Sequence, residues 1–173
     1  MTNKQSTQDR IIDKAFELAH KDSWEDFSLP QLAADLELSL VEVRRLFRSK
    51  DDIAEALFDR ADGAMLAAAN SANFLEQPLR MRLQQLIMAW LDTLAPHRQI
   101  VREILRYKML LLHVHLQLHG LTRLSRTMQW LSEAAMLETL DSSTQRELEE
   151  TGITAIYLLT FRHWLTDDST NHE

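Results

Sequence analysis

The sequence predicts an all-α protein. Only 3 Gly and 3 Pro occur in 173 residues, which favours long helices joined by few turns. Apolar residues recur every three or four positions along most of the chain, the spacing of one helix face, and no segment alternates like a strand. We expect an N-terminal head of three helices, a long connecting helix and a C-terminal helical domain.

The first helix follows a polar segment. Residues 1–8 carry no large apolar side chain after Met1, and we expect them to form a disordered tail. Apolar residues at helical spacing then mark an amphipathic helix, namely Ile11, Ile12, Ala15, Phe16 and Ala19.

Residues 28–50 predict two short helices joined by a tight turn. Ser28 is followed three residues later by Gln31, and Ser39 by Glu42, which is the capping-box spacing of a helix start. Starts 11 residues apart leave room for about two helical turns and a short connection. These are the dimensions of a helix-turn-helix.

The second of these helices has an apolar side and a basic side. We expect a small core around Ala33, made of Leu32, Leu36, Leu38, Val43, Leu46 and Phe47. The remaining side chains would face outward, namely Leu40, Val41, Arg44, Arg45 and Arg48. An exposed basic helix in this motif is the kind that enters a DNA major groove.

These residues resemble the TetR family of one-component transcriptional regulators. The family's motif opens with a hydroxyl residue followed by Leu-Ala and closes with Phe-x-x-Lys, which match Ser28, Leu32, Ala33, Phe47 and Lys50. The first helix and residues 24–27 fit as well, so the resemblance covers about residues 9–60. It implies a dimeric DNA-binding regulator, with residues 9–50 as the DNA-binding domain and 51–70 as the connecting helix.

The resemblance also implies roles for single residues. Ser28 and Lys50, at helix N-termini, would contact phosphates of a double-stranded DNA operator, and Arg48 belongs to the same basic cluster. Leu40, Val41, Arg44 and Arg45 would lie toward base edges, where Arg can grip guanine. Glu42 either caps its helix or accepts a hydrogen bond from a cytosine amine.

The remaining chain predicts four further helices. The polar segment 70–78 suits a linker before a ligand-binding and dimerisation domain at 78–166, and 167–173 form a short tail. We expect helices at 78–94, broken by Pro96, at about 100–118, ended or bent by Gly120, at 121–140 and at 144–166, the last capped by residues 141–143.

The last helix is apolar nearly all round. Its apolar side chains are too broadly distributed for one neighbouring helix to cover, and they include Ile153, Ile156, Leu158, Leu159 and Phe161. We therefore expect a homodimer held by the last two helices, which is also how the TetR family dimerises.

Aromatic and Met residues concentrate in the second domain. They either fill a core or, as the resemblance implies, line a pocket for an apolar small-molecule effector. The candidate lining residues are Trp90, Leu112, Trp130 and Tyr157.

Other chemistries find little support. There is no Cys, no phosphate-binding Gly loop and no catalytic motif, so we predict neither an enzyme nor a cofactor. His115 and His119 have the i, i+4 spacing of a zinc pair, but with no evident third ligand and with His113 pointing elsewhere, we predict no metal site. No signal peptide and no apolar run of about 18 residues is visible, so we expect a cytoplasmic protein that does not enter membranes.

Charge keeps an alternative open. Residues 1–60 contain 9 Lys and Arg against 13 Asp and Glu, which opposes phosphate binding, although residues 39–50 carry four positive charges and one negative. Glu37 stands where the family usually has Gly in the turn, and left-handed backbone there would cost about 1 kcal/mol, so we expect a reshaped turn. The alternative is a TetR-like protein that binds a lipid or other apolar ligand without DNA, similar to the lipid-binding proteins of ubiquinone biosynthesis.

Overall fold

The computed structural model describes residues 3–108, 114–135 and 143–167. These ranges form α-helices, with no strand among the described residues. The α-helices are α1 (Asn3–Asp22), α2 (Leu29–Asp35), α3 (Leu40–Leu46), α4 (Lys50–Ala68), α5 (Leu79–Leu94), α6 (Arg98–Lys108), α7 (Val114–Ala134) and α8 (Ser143–Thr166). Short 3₁₀ turns occupy Phe74–Glu76 and Ala95–His97. The predicted all-α class is confirmed.

The described residues divide into two compact units. The first lies within Met1–Ala61 and Leu94–Val114, and the second within Asp62–Thr93 and His115–Glu173. The division falls inside α4, which continues from one unit into the other, and the first unit includes α6. A search for polar linkers could not find this division, because a continuous helix has no loop composition at the boundary. The domain bounds expected from the sequence assign a function to each segment, and these assignments stay a prediction.

The first unit has its core where α1 packs with α2 and α6. The apolar face expected for α1 is at most 4% exposed at Ile11, Ile12, Ala15, Phe16 and Ala19. α6 contributes buried apolar side chains of its own, namely Ile100, Val101 and Ile104.

Helix α1 begins at Asn3, so most of the expected disordered tail is helical. Arg60 on α4 holds this helix, since its guanidinium donates to the Asp9 carbonyl at 3.0 Å, to the Asp9 carboxylate at 2.9 Å and to the Asp13 carboxylate at 2.5 Å. Polar residues such as Lys4 and Gln5 are good helix formers, and a formed helix can extend through them. Polarity alone was a poor guide to disorder here.

The second unit has its core between α5, α7 and α8. Leu86 and Trp90 of α5, Leu131 of α7 and Tyr157 of α8 are all at most 4% exposed. Arg82 closes the end of α7, because its guanidinium donates to the Ala135 carbonyl at 2.6 Å.

Helix boundaries in this unit differ from the expected ones at one glycine. α7 runs through Gly120 without interruption and ends at Ala134, whereas the sequence suggested a break at Gly120 and a helix to 140. One Gly inside a helix costs only about 1 kcal/mol, which neighbouring apolar residues can offset. Pro96 does end α5, which stops at Leu94. The cap expected at 141–143 lies outside the described residues. None of the described helices is long and apolar enough to span a bilayer.

Candidate nucleic-acid interface

The two short helices of the first unit start with side-chain caps. The Ser39 hydroxyl accepts from the Glu42 N–H at 3.2 Å, and the Glu42 carboxylate accepts from the Ser39 N–H at 2.8 Å, so this capping box is complete. The Ser39 hydroxyl also donates to the Glu42 carboxylate, at 2.7 Å, and this bond, followed by the one from the Ser39 N–H, lowers the pKa of Glu42. The Ser28 hydroxyl accepts from the Gln31 N–H at 3.3 Å, but the Gln31 amide turns to Asp22 instead of completing the box. Of the two roles considered for Glu42, the structure shows the cap.

The turn between α2 and α3 keeps the geometry that glycine would favour. Glu37 has φ 55°, in the left-handed region, so the expected reshaping does not occur. The Leu38 N–H donates to the Ala33 carbonyl at 2.9 Å and the Glu37 N–H to the Ala34 carbonyl at 3.1 Å. These two bonds make a Schellman motif, which satisfies carbonyls at the end of α2. They offset the backbone strain at Glu37.

Helix α3 presents the side that the sequence assigned to DNA. Val43 is 1% exposed and Phe47 5%, whereas Leu40 and Val41 are 50% and 61% exposed. The guanidinium groups of the basic cluster are also exposed, at Arg44, Arg45 and Arg48. The exposed side of α3 therefore has two aliphatic residues on its first turn and arginines beyond them.

The three guanidinium groups have few partners within the protein. Within residues 3–108, 114–135 and 143–167, none of them donates a hydrogen bond or forms an ion pair. The charge of Arg45 attracts the Glu42 carboxylate. The backbone N–H of Arg48 donates to the Asp52 carboxylate at 2.7 Å, and the Arg48 side chain is exposed to solvent. Guanidinium groups held outward in this way can form bidentate bonds with phosphate or guanine.

Lys50 does not have the surroundings of a phosphate contact. Its ammonium donates to the carbonyls of Trp24 at 3.0 Å, Glu25 at 2.9 Å and Phe27 at 2.8 Å, and it lies 4.5 Å from the centre of the Phe27 ring. An ammonium has three donors, and all three are used. Burial lowers the pKa of Lys50. We therefore correct the expected role: the side chain clamps the loop between α1 and α2.

The same loop is held from its other side by α6. The Trp24 N–H donates to the Glu103 carboxylate at 3.1 Å, and Gln99 donates to the second oxygen of that carboxylate at 3.3 Å. Sequence reasoning missed Glu103, because an isolated glutamate on an amphipathic helix carries no signal of a partner 79 residues away. The loop that precedes the helix-turn-helix is thus fixed by an ammonium on its carbonyls and a carboxylate on an N–H.

A pair of histidines lies next to this contact. The His20 Nε2 and His97 Nδ1 atoms are 3.2 Å apart, and the His97 ring packs on Phe16 with centroids 4.7 Å apart. Burial, and then the nearby His20, lower the pKa of His97. The surroundings of His97 therefore favour its neutral form.

The second unit contains a buried polar cluster that the sequence analysis did not identify. The Asp62 carboxylate accepts from Trp90 Nε1 at 2.8 Å, from the Arg123 guanidinium at 2.7 Å and from the Thr127 hydroxyl at 3.1 Å. The signal available was Asp62 itself, a charged residue beside the apolar stripe of α4. This cluster joins α4 to α5 and α7.

Of the four residues proposed to line a ligand pocket, the three that the structure describes do not share one environment. Trp90 and Tyr157 are buried and pack edge to face with ring centroids 5.3 Å apart, and burial raises the pKa of Tyr157. Trp130 is 47% exposed on α7, so it is not enclosed as the pocket required. Leu112 lies outside the described residues. The first two belong to a packed core, and the exposure of Trp130 corrects its expected position.

An apolar groove of about 510 Å³ does lie between α5 and α8. Trp90, Trp130 and Tyr157 do not line it; its described lining residues are Leu79, Arg80, Leu83, Gln84, Ile87, Met88, Ile156 and Thr160. On α8, Ile156, Leu158 and Leu159 are 52%, 41% and 65% exposed, whereas Ile153 is 6% exposed and packs inward. The apolar surface expected for a dimer is therefore present at three of its five residues, with Phe161 only half-buried.

The expected absence of a metal site remains a prediction. No group of three or more His, Asp or Glu residues suited to a metal ion occurs in the described part of the chain. His113 lies outside it, and His115 and His119 lie on α7.

Comparisons with known proteins identify the family. A crystal structure of the TetR transcriptional regulator from Nitrosomonas europaea ATCC 19718 is 43% identical, with a TM-score of 0.81, and the match covers 95% of this chain and 88% of that one. No protein-family model and no curated protein matches. With that identity over nearly its whole length, the chain belongs to the TetR family of transcriptional regulators.

Proposed function

We propose that this protein is a homodimeric, ligand-responsive DNA-binding regulator that acts as a repressor. The exposed side of the helix-turn-helix carries the proposal: the guanidinium groups of Arg44, Arg45 and Arg48 extend outward from it. Phosphates of a DNA operator would lie against Ser28 and Arg48, and base edges against Leu40, Val41, Arg44 and Arg45. The similarity to the TetR regulator of known structure, over 95% of this chain, supports the proposal.

DNA binding is tested by selection of sequences from a random duplex pool. We expect one enriched, two-fold symmetric sequence, because a dimer presents two copies of α3 to one face of DNA. Binding should weaken steeply with salt, since Arg side chains displace condensed counterions. No enrichment, together with no binding at low salt, would contradict the proposal.

Dimerisation would use α7 and α8. The exposed Trp130, Ile156, Leu158 and Leu159 supply apolar surface on those two helices, and burying it against a second copy would remove it from water. Light scattering should give twice the chain mass of 20.1 kDa. Leu159→Glu should shift the mass toward one chain, whereas a substitution of exposed Leu75 should not.

Repression and effector response follow from the same arrangement. A dimer bound over a promoter would exclude RNA polymerase, which a transcription assay with the selected sequence measures. An apolar effector that displaces α5 or α7 would pull on Asp62 and therefore on α4, provided that the effector binds one α4 position better than the other. Release of DNA by a hydrophobic compound, and loss of that release in Asp62→Asn, would support this route.

The alternative function is binding of a lipid or other apolar ligand without DNA. The groove between α5 and α8 favours it, because about 510 Å³ with mainly aliphatic walls suits a ligand of drug size. Ile87→Trp should fill the groove and abolish binding of a fluorescent fatty acid. If the wild type binds that probe but no DNA, the alternative replaces the regulator.

A further inference from the structure

The first turn of α3 exposes two aliphatic side chains next to each other. Leu40 and Val41 are the first two residues of the helix and are 50% and 61% exposed. Exposed aliphatic surface is unfavourable in water, in proportion to its area. A polar residue at either position would be better solvated and would leave the Ser39 cap intact. These two side chains are therefore suited to contact with something apolar.

A crevice of about 370 Å³ opens beside them. Its walls are almost entirely aliphatic and aromatic, and they are formed by Leu29, Leu40, Val41, Val43, Arg44 and Phe47. Arg44 is the charged residue in this lining, and it stands one helical turn after Leu40. The crevice lies between the start of α2 and the exposed side of α3.

The charges around the crevice limit what can occupy it. Arg44, Arg45 and Arg48 would disfavour another copy of the same basic surface, and they favour a polyanion. The occupant must then be an apolar group carried on a polyanion. In the major groove of DNA, the C5-methyl of thymine is that group, and the guanine O6 and N7 atoms are the acceptors that suit arginine.

We propose that this crevice reads a thymine methyl group, with Arg44 on a guanine within two base pairs of it. The inference rests on the proposed DNA-binding function. Leu40 and Arg44 are four residues apart, which is about 6 Å along a helix. Successive bases are about 3.4 Å apart along a strand, so the two side chains span about two base pairs. Each half-site of the operator therefore contains a thymine close to a guanine.

Deoxyuridine tests the methyl group alone. In the duplex selected from the random pool, each thymine is replaced singly by deoxyuridine, which keeps every hydrogen-bonding group and loses only the methyl. Fluorescence anisotropy should show one thymine per half-site at which this replacement weakens binding about fourfold, the factor expected for one buried methyl group. Replacement at the other thymines should have little effect.

Two variants assign the methyl contact to the crevice. Val41→Ser removes both methyl groups and places a hydroxyl in the crevice, and Leu40→Ala removes a wall. Both should bind thymine and deoxyuridine duplexes nearly equally at that position. Arg45→Ala is the matched control, because Arg45 does not line the crevice: it should weaken binding and retain the preference for thymine over deoxyuridine. Both aliphatic residues are exposed, and unchanged thermal unfolding would confirm that the variants fold.

The outcomes separate this inference from the function on which it rests. Tight, sequence-selective binding with no sensitivity to deoxyuridine would overturn the methyl reading and leave the regulator intact. A sensitivity that persists in both Val41→Ser and Leu40→Ala would place the methyl contact elsewhere and would also overturn the proposal. If no duplex is selected and none binds at low salt, both proposals fail together.

Discussion

The exposed arginines Arg44, Arg45 and Arg48 and the buried Arg123 of α7 place the same charged group in opposite surroundings. Arg44 and its two neighbours extend into solvent, whereas Arg123 is 8% exposed and donates to the equally enclosed Asp62 at 2.7 Å. A solvated guanidinium costs the fold little and can bind a partner. A buried one must be paired, because an uncompensated charge in a protein interior is strongly destabilising. The exposed arginines are therefore available to a partner, whereas the buried pair in the second unit fixes how its helices pack.

The largest expected effect comes from removing the carboxylate of the buried Asp62–Arg123 pair. Asp62→Ala should lower the free energy of unfolding by about 3–5 kcal/mol, because it leaves the Arg123 guanidinium buried without its carboxylate. Urea unfolding measures this. Glu17→Ala, which removes an exposed ion pair with Lys14, is the control and should cost less than about 0.5 kcal/mol. Equal losses in the two variants would show that burial does not distinguish the pairs.

Substitution of Arg44 tests whether the exposed arginines contribute to DNA binding and not to stability. Arg44→Ala should weaken binding to the selected duplex by about 1–3 kcal/mol and relax the preference at one base position. Arg45→Ala should act in the same way at a neighbouring position. Neither should change unfolding by more than about 0.5 kcal/mol, since neither side chain packs against the core. A large loss of stability in either would mean that the arginines support the fold.

Lys50 sharpens the comparison, because it is a basic residue beside the interface with the partners of a structural one. Lys50→Met should destabilise the protein by about 1–3 kcal/mol, because three loop carbonyls lose a charged donor. A phosphate contact would instead contribute about one unit to the salt dependence of DNA binding, and we expect that slope to remain unchanged. Lys21→Met, at an exposed position near the end of α1, serves as the control.

Glu37 gives a smaller effect of opposite sign. Glu37→Gly should stabilise the protein by about 0.5–1 kcal/mol, since glycine adopts a φ of 55° without strain. Glu37→Ala removes the same charge but keeps the strain, so it should show no comparable gain. If both variants are equally stabilised, the charge and not the backbone is responsible.

The smallest expected effect is a pH dependence at His97. Its pKa lies below that of an ordinary histidine, so on acidification the unfolded chain takes up a proton before the folded one does. Stability at this site is therefore present above about pH 6.5 and is lost as the pH falls through the lower, folded-state pKa. His97→Gln should reduce this loss in unfolding measured from pH 7 to pH 5. An exposed histidine on α8, His163, provides the control substitution.

The parts of this molecule that the sequence predicted are those that local chemistry decides. The Ser39 and Glu42 cap, the buried face of α1 and the outward face of α3 each depend on residues within one or two helical turns. The missed features join distant residues: Lys50 reaches a loop 23 to 26 residues earlier, and Asp62 meets partners 28 to 65 residues later. Helix periodicity predicts which side of a helix is buried, but it does not predict which distant residues that side contacts.

The distribution of tryptophan gives each unit its own optical probe. Trp24, 3% exposed, lies in the first unit, whereas the other three tryptophans lie within the second, where Trp90 is 2% exposed. In a variant that retains only Trp24, tryptophan fluorescence would report on the loop held by Lys50 and Glu103. In a variant that retains only Trp90, the fluorescence would report on the surroundings of the Asp62 carboxylate. Red shifts at different denaturant concentrations would reveal two separate melting events, and coincident shifts would show that the continuous α4 makes the chain unfold as a whole.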